Sequence, residues 1–222
     1  VKKYTFIVAA AGVGKRMGLG YPKQFLEWEG KPIFIHTLEK INGNKLVTDI
    51  VVVTNSDYIE EVERYCREYS IHKVARVVAG GRERQDSIYN AIQECRDSDL
   101  IGVQDGVRPF IEDGFIESAY EELRKDGLDG VVVGVPVKDT IKVVDENGII
   151  QSTPVRSTLV AAQTPQVFKG ELLVKAYEKA AEDSWLGTDD SSLVEYIGGR
   201  VKIVEGSYGN IKITTVEDLK HL

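Results

Sequence analysis

YTFIVAAAGVGKRMGLGYPKQF, residues 4–25, sets a short apolar run against a glycine-rich turn. Tyr4 to Val8 has the aromatic and β-branched character of a buried strand. Ala9, Ala10, Ala11 and Gly12 then carry almost no side chain, so a ligand can approach the backbone closely. A turn of this kind after a buried strand offers free N–H groups to phosphate oxygens. Two familiar phosphate loops compete here, and neither is completed. A dinucleotide fingerprint needs G-x-G-x-x-G and an acidic residue closing the next strand. Gly12-Val13-Gly14-Lys15-Arg16-Met17-Gly18 places the last glycine one position late, with two cations in the middle. A P-loop needs Lys and then Ser or Thr after its last glycine; Gly14-Lys15 is followed by Arg16. The stretch therefore reads as an anion-binding loop of another kind. Arg16 and Lys23 supply charge, and Tyr21-Pro22 stiffens the chain between them. A plain tight turn with surface cations is the alternative.

Outward from this stretch, strand-like runs alternate with helical spacing. Strands are expected at 4–9, 48–54, 74–78, 99–104 and 130–135. Between them Ile33, Ile35, Leu38 and Ile41 mark a helix, as do Ile59, Val62, Tyr65, Cys66 and Tyr69, and then Ile88, Ala91, Ile92 and Cys95. This alternation predicts an α/β fold with a Rossmann-like, mostly parallel, doubly wound sheet. Ligands of such sheets bind beyond the carboxyl ends of the strands, so the loops after residues 9, 54, 78, 104 and 135 are the places to search. Residues 136–163 break the rhythm with β-type runs around Glu146-Asn147-Gly148, a hairpin signal. They read as a β-arm inserted in one domain spanning 1–222. A two-stranded ribbon is marginal alone, so the arm is expected to pack on a second subunit or on its own domain. Helices near 170–182 and 190–197, a strand at 201–204, and a final strand and helix complete the chain.

The 222 residues carry a net charge of −7. Lys2, Lys3, Lys15, Arg16 and Lys23 make residues 1–26 five charges positive with no acid among them, leaving the remainder twelve negative. An acidic protein with a basic glycine loop suits a small polyanion and argues against nucleic acid as a partner. No apolar run approaches the ~20 residues of a membrane span, and the amino-terminal residues lack a secretory leader pattern, so a cytoplasmic setting is expected. Cys66 and Cys95, the two cysteines, sit on apolar helix faces and read as free core thiols.

Two further loops gather polar groups. GVQDGVRPF, residues 102–110, ends an apolar strand in Asp105. That carboxylate either caps a turn or holds Mg²⁺ against phosphate, and Arg108 can bind a second anion bidentately. AGGRERQDS, residues 79–87, opens a helix; Gly80 and Gly81 permit close approach, and Ser87 contacts a base or phosphate or merely caps. Lys138, Thr140, Arg156, Thr164 and Lys212 are scattered donors without motif strength. The three histidines are isolated, and there is no H-E-x-x-H, no G-x-S-x-G and no cysteine pair at metal spacing. What survives is chemistry of phosphate on phosphate, in which positioning and charge neutralisation supply most of the catalysis.

Ala10-Ala11-Gly12-x-Gly14-x-Arg16-Met17 followed by Pro22-Lys23-Gln24 resembles the signature loop of the cytidylyltransferases that act on sugar-alcohol phosphates, and within them most closely the branch using methylerythritol phosphate in non-mevalonate isoprenoid synthesis. The likeness continues through Gly80-Gly81 to Ser87, Asp105-Gly106-Val107-Arg108-Pro109, Pro136-Val137-x-Asp139-Thr140, Arg156, Gln163-Thr164-Pro165-Gln166, Thr188-Asp189-Asp190 and Asn210-Ile211-Lys212. It implies transfer of a cytidylyl group from CTP to methylerythritol phosphate, with pyrophosphate released and Mg²⁺ as cofactor. By matching position, Ala9, Ala10, Ala11, Gly12, Gly14, Gly81, Arg82, Ser87 and Gly106 would bind CTP. Asp105, Arg108, Thr140, Arg156, Thr164 and Lys212 would hold the acceptor, Asp105 also orienting the metal. Catalysis would fall to Arg16, Lys23, Arg156 and Lys212. The resemblance further implies a homodimer in which the arm carries Thr140 and Arg156 into the neighbour's site. Arg82 and Gly209 stand where the family often has Asp. A ribitol 5-phosphate cytidylyltransferase would share the nucleotide loop and differ at the acceptor. A non-catalytic nucleotide-binding scaffold would keep the glycines with no use for Arg16, Lys23 and Asp105 together.

Overall fold

The structure, a computed structural model, describes residues 2–12, 22–214 and 216–220. In chain order its elements are β1 (Tyr4–Ala10), a 3-10 turn (Lys23–Phe25), β2 (Glu27–Trp28), β3 (Lys31–Pro32), α1 (Ile33–Gly43), β4 (Asp49–Thr54), α2 (Ile59–Glu68), β5 (Val74–Ala79), α3 (Arg84–Ile92), β6 (Leu100–Asp105), α4 (Asp113–Leu123), β7 (Gly130–Pro136), β8 (Val143–Val144), β9 (Ile150–Ser152), β10 (Val160–Lys169), α5 (Gly170–Glu182), α6 (Asp190–Tyr196), β11 (Val201–Glu205) and α7 (Val216–Leu219). Seven strands form one sheet in the order β11-β7-β10-β6-β1-β4-β5. Every pairing is parallel except those of β10, which runs antiparallel to β6 and to β7.

Period-two alternation decides which face each strand residue serves. Tyr4, Phe6, Val8 and Ala10 of β1, with Ile50 and Val52 of β4, pack against α1, α2 and α4. Ile7, Val51, Val53, Ile101 and Val103 point to the opposite face and meet α3, α5 and α6. Helices thus cover both faces, as the near-continuous apolar strands require. The chain passes from β1 to β4 on one side and returns to β6 on the other, so β1 marks the topological switch where a crevice opens. Register sets the floor of that crevice. Ala9 lies opposite both Val53 and Asp105, Ala10 opposite Thr54, and Thr54 opposite Ala79.

The strands expected at 4–9, 48–54, 74–78, 99–104 and 130–135 correspond to β1, β4, β5, β6 and β7. The helix α4, the strand β10 and the short pair β2–β3 fall outside the expected set. Among the described residues the final strand is not formed: residues 206–214 contain none. That segment instead bonds to the loop after β6, with the Ile213 N–H donating to the Val107 carbonyl and Arg108 donating to that of Asn210. Cys95 falls just past the end of α3 but is buried and free, like Cys66. Among the described residues no helix is long and apolar enough to cross a membrane.

Between β7 and β10 the chain leaves the sheet, and the short pair β8–β9 stands apart from it. The hairpin turn is held by the Asp145 carboxylate, which accepts from the N–H groups of Asn147 and Ile149, while Gly148 takes φ +78°. Ile141, Val143, Val144, Ile149, Ile150 and Val155 are all exposed along this arm.

Gly170 joins β10 to α5 where two backbones meet. A Cβ there would run into the carbonyl oxygen of Ser98, while the glycine N–H donates to the Asp99 carbonyl. Backbone cannot yield as a flexible side chain can, so Gly170→Ala should cost about 3 kcal/mol. The expected readout is a lower urea midpoint with unchanged slope; an unchanged midpoint would refute the packing account.

Candidate active site

At the carboxyl ends of β1, β4, β5 and β6 lies a cleft of about 340 Å³, within the range of small-ligand pockets. Its walls come from four loops and the carboxyl-terminal segment. β1 ends in Ala9 and Ala10 and continues to Ala11 and Gly12, which line it together with Lys23 and Gln24. Asn55 and Ser56 enter after β4, Gly80 to Arg84 and Ser87 around the start of α3, Asp105 and Val107 after β6, and Lys212 near the carboxyl terminus. A larger open groove of about 510 Å³ runs between α2 and the amino end of β5, away from these strand ends.

Small residues are required here by contact. A Cβ on Gly80 would lie 2.8 Å from both the Ala11 methyl and the Ser87 hydroxyl. One on Gly106 would lie 2.8 Å from the Ala9 carbonyl, which accepts the Gly106 N–H at 2.9 Å. Ala10 presents its carbonyl inward, accepting from the buried Gln24 amide and from Thr54 Oγ1. Gln24 thereby ties the 3-10 turn bearing Lys23 to the end of β1. Ser87 Oγ accepts from the Gly81 N–H and donates to the Glu83 carbonyl, so it holds the turn of residues 80–83 closed. The Glu83 and Asp86 side chains form a reciprocal capping box at the start of α3.

The electrostatic centre is Asp105, 6% exposed. Lys212 Nζ stands 3.0 Å from its Oδ2, Arg108 Nε 3.3 Å from the same oxygen, and Arg84 Nη2 3.6 Å from Oδ1. Burial alone would push this carboxyl up; Arg84, Lys212 and Arg108 together outweigh it and hold the group down at about 2. Burial likewise works against the charge of Arg84, but the carboxylates of Asp190 and Asp105 overcome it and raise its affinity for the proton. Arg108, buried more than it is paired, is shifted downward, with Asp105 offsetting part of that cost. The Asp105 N–H donates to Thr164 Oγ1, and Arg108 also donates to the Asn210 carbonyl at 2.7 Å.

The residues expected from sequence divide clearly. Ala9, Ala10, Ala11, Gly12, Lys23, Gly81, Arg82, Ser87, Asp105 and Lys212 line one cleft. Gly106, Arg108 and Thr164 join it through their bonds to Ala9 and Asp105. Thr140 and Arg156 do not: both sit on the exposed arm, where Arg156 donates to the Lys138 carbonyl. Gly14 and Arg16 lie outside the described residues. Arg84, Asn55, Ser56, Gln24 and Asp190 are additions the sequence reading lacks. Of these, Arg84 carried a signal as a cation inside the glycine-bearing loop at 79–87, and Gln24 and Asp190 stood within the motifs Pro22-Lys23-Gln24 and Thr188-Asp189-Asp190 without an assigned role.

The chain as a whole has counterparts in sequence and fold. The profile of the family 2-C-methyl-D-erythritol 4-phosphate cytidylyltransferase matches residues 4–221. A protein of that name from Fusobacterium nucleatum is 50% identical over 222 residues, covering 100% of this chain and 96% of the relative. One from Halalkalibacterium halodurans is 43% identical, covering 98% and 94%. The crystal structure of 4-diphosphocytidyl-2C-methyl-D-erythritol synthase from Anaerococcus prevotii superposes with a TM-score of 0.87 at 29% identity, covering 99% of this chain and 94% of that one. With a profile match over nearly its full length, and with a mostly parallel sheet opening on a cationic cleft, the chain belongs to the 2-C-methyl-D-erythritol 4-phosphate cytidylyltransferase family.

Proposed function

We propose that the cleft transfers a cytidylyl group from CTP to 2-C-methyl-D-erythritol 4-phosphate. One observation carries this reading: a buried, ionised carboxylate surrounded by Arg84, Arg108 and Lys212, in a cleft that also holds Lys23 and a backbone of small residues. The cations exceed the carboxylates around Asp105, and a bound polyanion completes the balance. An oxygen of the acceptor phosphate attacks the α-phosphorus, the bond to the β-phosphate oxygen breaks, and pyrophosphate leaves. The attacking oxygen is already anionic, so no general base is needed. The barrier is repulsion between anions, which fixed cations offset without reorganising. Lys23, beside the ends of the alanine run, suits the α-phosphate, where charge grows most; Arg16 takes the same duty by resemblance. Lys212 and Arg108 suit the acceptor phosphate.

Magnesium fits this donor set in a limited way. It commonly takes one or two protein carboxylates and fills its remaining positions from phosphate oxygens and water. Asp105 Oδ1 faces Arg84 only at 3.6 Å, beyond hydrogen-bond length, while Oδ2 is engaged by Lys212 and Arg108. Oδ1 would therefore hold the ion; when bound, the ion withdraws charge from the triphosphate. Glu83, the other carboxylate lining the cleft, is occupied as a helix cap.

We further propose a homodimer formed through the arm. Its row of exposed Ile and Val side chains and its marginal two-stranded pairing support an occupant on that face. Thr140 and Arg156 would then complete the acceptor end of the partner's cleft. The compartment we propose is the cytoplasm, consistent with two buried thiols left unpaired.

Pyrophosphate release should be strong with CTP and methylerythritol phosphate. Equal rates with ribitol 5-phosphate, or with other triphosphates, would defeat the assigned specificity. Lys23→Ala should lower kcat by about a hundredfold or more while KM for CTP moves only severalfold, because the charge it meets grows in the transition state. A raised KM at unchanged kcat would remove Lys23 from that role.

Asp105 titrates near 2, below its unfolded value of 3.8. Its paired charge therefore contributes stability above about pH 4 and loses that contribution as pH falls toward 2. Across pH 5–8 it stays ionised, so Asp105→Asn should depress kcat evenly over that window. A variant that merely moves the acid limb of the profile would contradict this.

Mixing Arg156→Ala and Lys23→Ala subunits should restore about a quarter of wild-type activity, from heterodimers with one intact site. Verified heterodimers without activity would count against the shared site.

A further inference from the structure

Asp190 is fully buried and lies outside the set of cleft-lining residues, yet it is bonded directly to one of them. It opens α6, and its Oδ2 accepts from Arg84 Nη2 at 2.9 Å. Its Oδ1 accepts from the buried hydroxyl of Tyr177 on α5. Around it, Gln85 accepts the Gly187 N–H and donates to the Trp185 carbonyl, while Gln166 of β10 bonds to Asp189 and Ser191. The segment 185–191 is therefore clamped from both sides, and Asp190 is fixed independently of Arg84.

Arg84 stands at the first position of α3, where the helix dipole disfavours a cation. Its side chain remains 35% exposed and lines the cleft. A purely structural pair gains little from such a placement, since two apolar residues would serve as well or better. The distances suggest another use. Arg84 reaches Asp190 at 2.9 Å and stops 3.6 Å from Asp105. Without the Asp190 charge, the nearest carboxylate for Arg84 would be Asp105.

We infer that Asp190 is a positioning residue for the transfer reaction: it holds the Arg84 guanidinium in the cleft wall and keeps it from closing on Oδ1 of Asp105. This inference rests on the cleft being the nucleotidyl-transfer site. Its sign is unusual. Removing a carboxylate beside a polyanion site should leave ground-state attraction for CTP equal or stronger, because the local charge becomes more positive. The rate should fall nevertheless, because Arg84 and Asp105 leave their working positions. Loss of fold would lower the active fraction without producing that split.

The test compares wild type, Asp190→Asn, Arg84→Gln, the double variant and Tyr177→Phe. Pyrophosphate release gives kcat and KM for CTP, and thermal unfolding gives Tm. Asp190→Asn should lose about tenfold or more in kcat with KM for CTP unchanged or lower. In the Arg84→Gln background it should add less than about twofold, since the effect passes through that side chain. Tyr177→Phe removes the other partner of Asp190 and should lower Tm with kcat held within about twofold. Should Asp190→Asn fail to fold, Arg84→Lys keeps the charge without the planar fork and should lose about fivefold or more in kcat.

An active wild type with Asp190→Asn, or in its place Arg84→Lys, within twofold of it would overturn the inference. So would losses that multiply in the double variant, or a Tyr177→Phe rate that falls as far as that of Asp190→Asn. A wild type that releases no pyrophosphate would overturn the proposed function itself, and this inference with it.

Discussion

Keeping the Asp105 carboxylate ionised inside the protein is the constraint around which the rest of the cleft is arranged. An isolated buried carboxylate would take a proton rather than bear the loss of water. Asp105 escapes this because three cations converge on it from separate parts of the chain: Arg84 from the first turn of α3, Arg108 from the loop after β6, and Lys212 from the segment beyond β11. The carboxylate therefore ties these segments together. Its own backbone is tied in turn, since its N–H reaches Thr164 on β10 and the following N–H reaches Ala9 on β1. The sheet sets where Asp105 stands, and Asp105 sets where the cations stand.

Those cations would repel one another without partners, and the partners are unequal. Arg84 shares itself between Asp105 and Asp190, while Arg108 and Lys212 both fall on a single oxygen of Asp105. The cleft thus keeps an excess of positive charge facing an opening walled by Ala and Gly. Such an arrangement admits a triphosphate against backbone and meets it with charge that needs no reorientation. Water would perform the same neutralisation only after reorganising, which is the advantage a preformed cluster has over solvent.

Much of this frame was legible in the sequence, for identifiable reasons. β1, β4, β6 and β7 are buried on both faces, so their apolar runs are continuous and easy to read. Asp105 could be singled out because it ends such a run. β10 escaped notice because Gln163-Thr164-Pro165-Gln166 interrupts its apolar pattern, and the pairing with β7 shifts register there. A final strand was expected beyond β11, but Asn210 and Ile213 give their backbone bonds to the loop after β6 instead of to a ladder. Asp190 stood in the motif Thr188-Asp189-Asp190, but its role was hidden for a different reason. Its partner Arg84 lies 106 residues away, and nothing local points from one to the other.

The opening loop separates two kinds of information. In the proposed reaction Ala9 to Gly12 with Lys23 would meet a polyphosphate and little else, because backbone N–H groups and a lysine ammonium do not discriminate between acceptors. Selection of the second substrate must come from groups that approach from another direction. Within this chain Arg108 and Lys212, the proposed acceptor contacts, pair with Asp105, whereas Thr140 and Arg156 stand on an exposed arm that does not line its own cleft. The cleft is thus assembled at the end of a single sheet. In the proposed homodimer its acceptor end would borrow from the partner's arm, whose exposed Ile and Val side chains call for a second surface. On that proposal the acceptor would change through the arm, while the charge cluster around Asp105 and the register that supports it stay as they are.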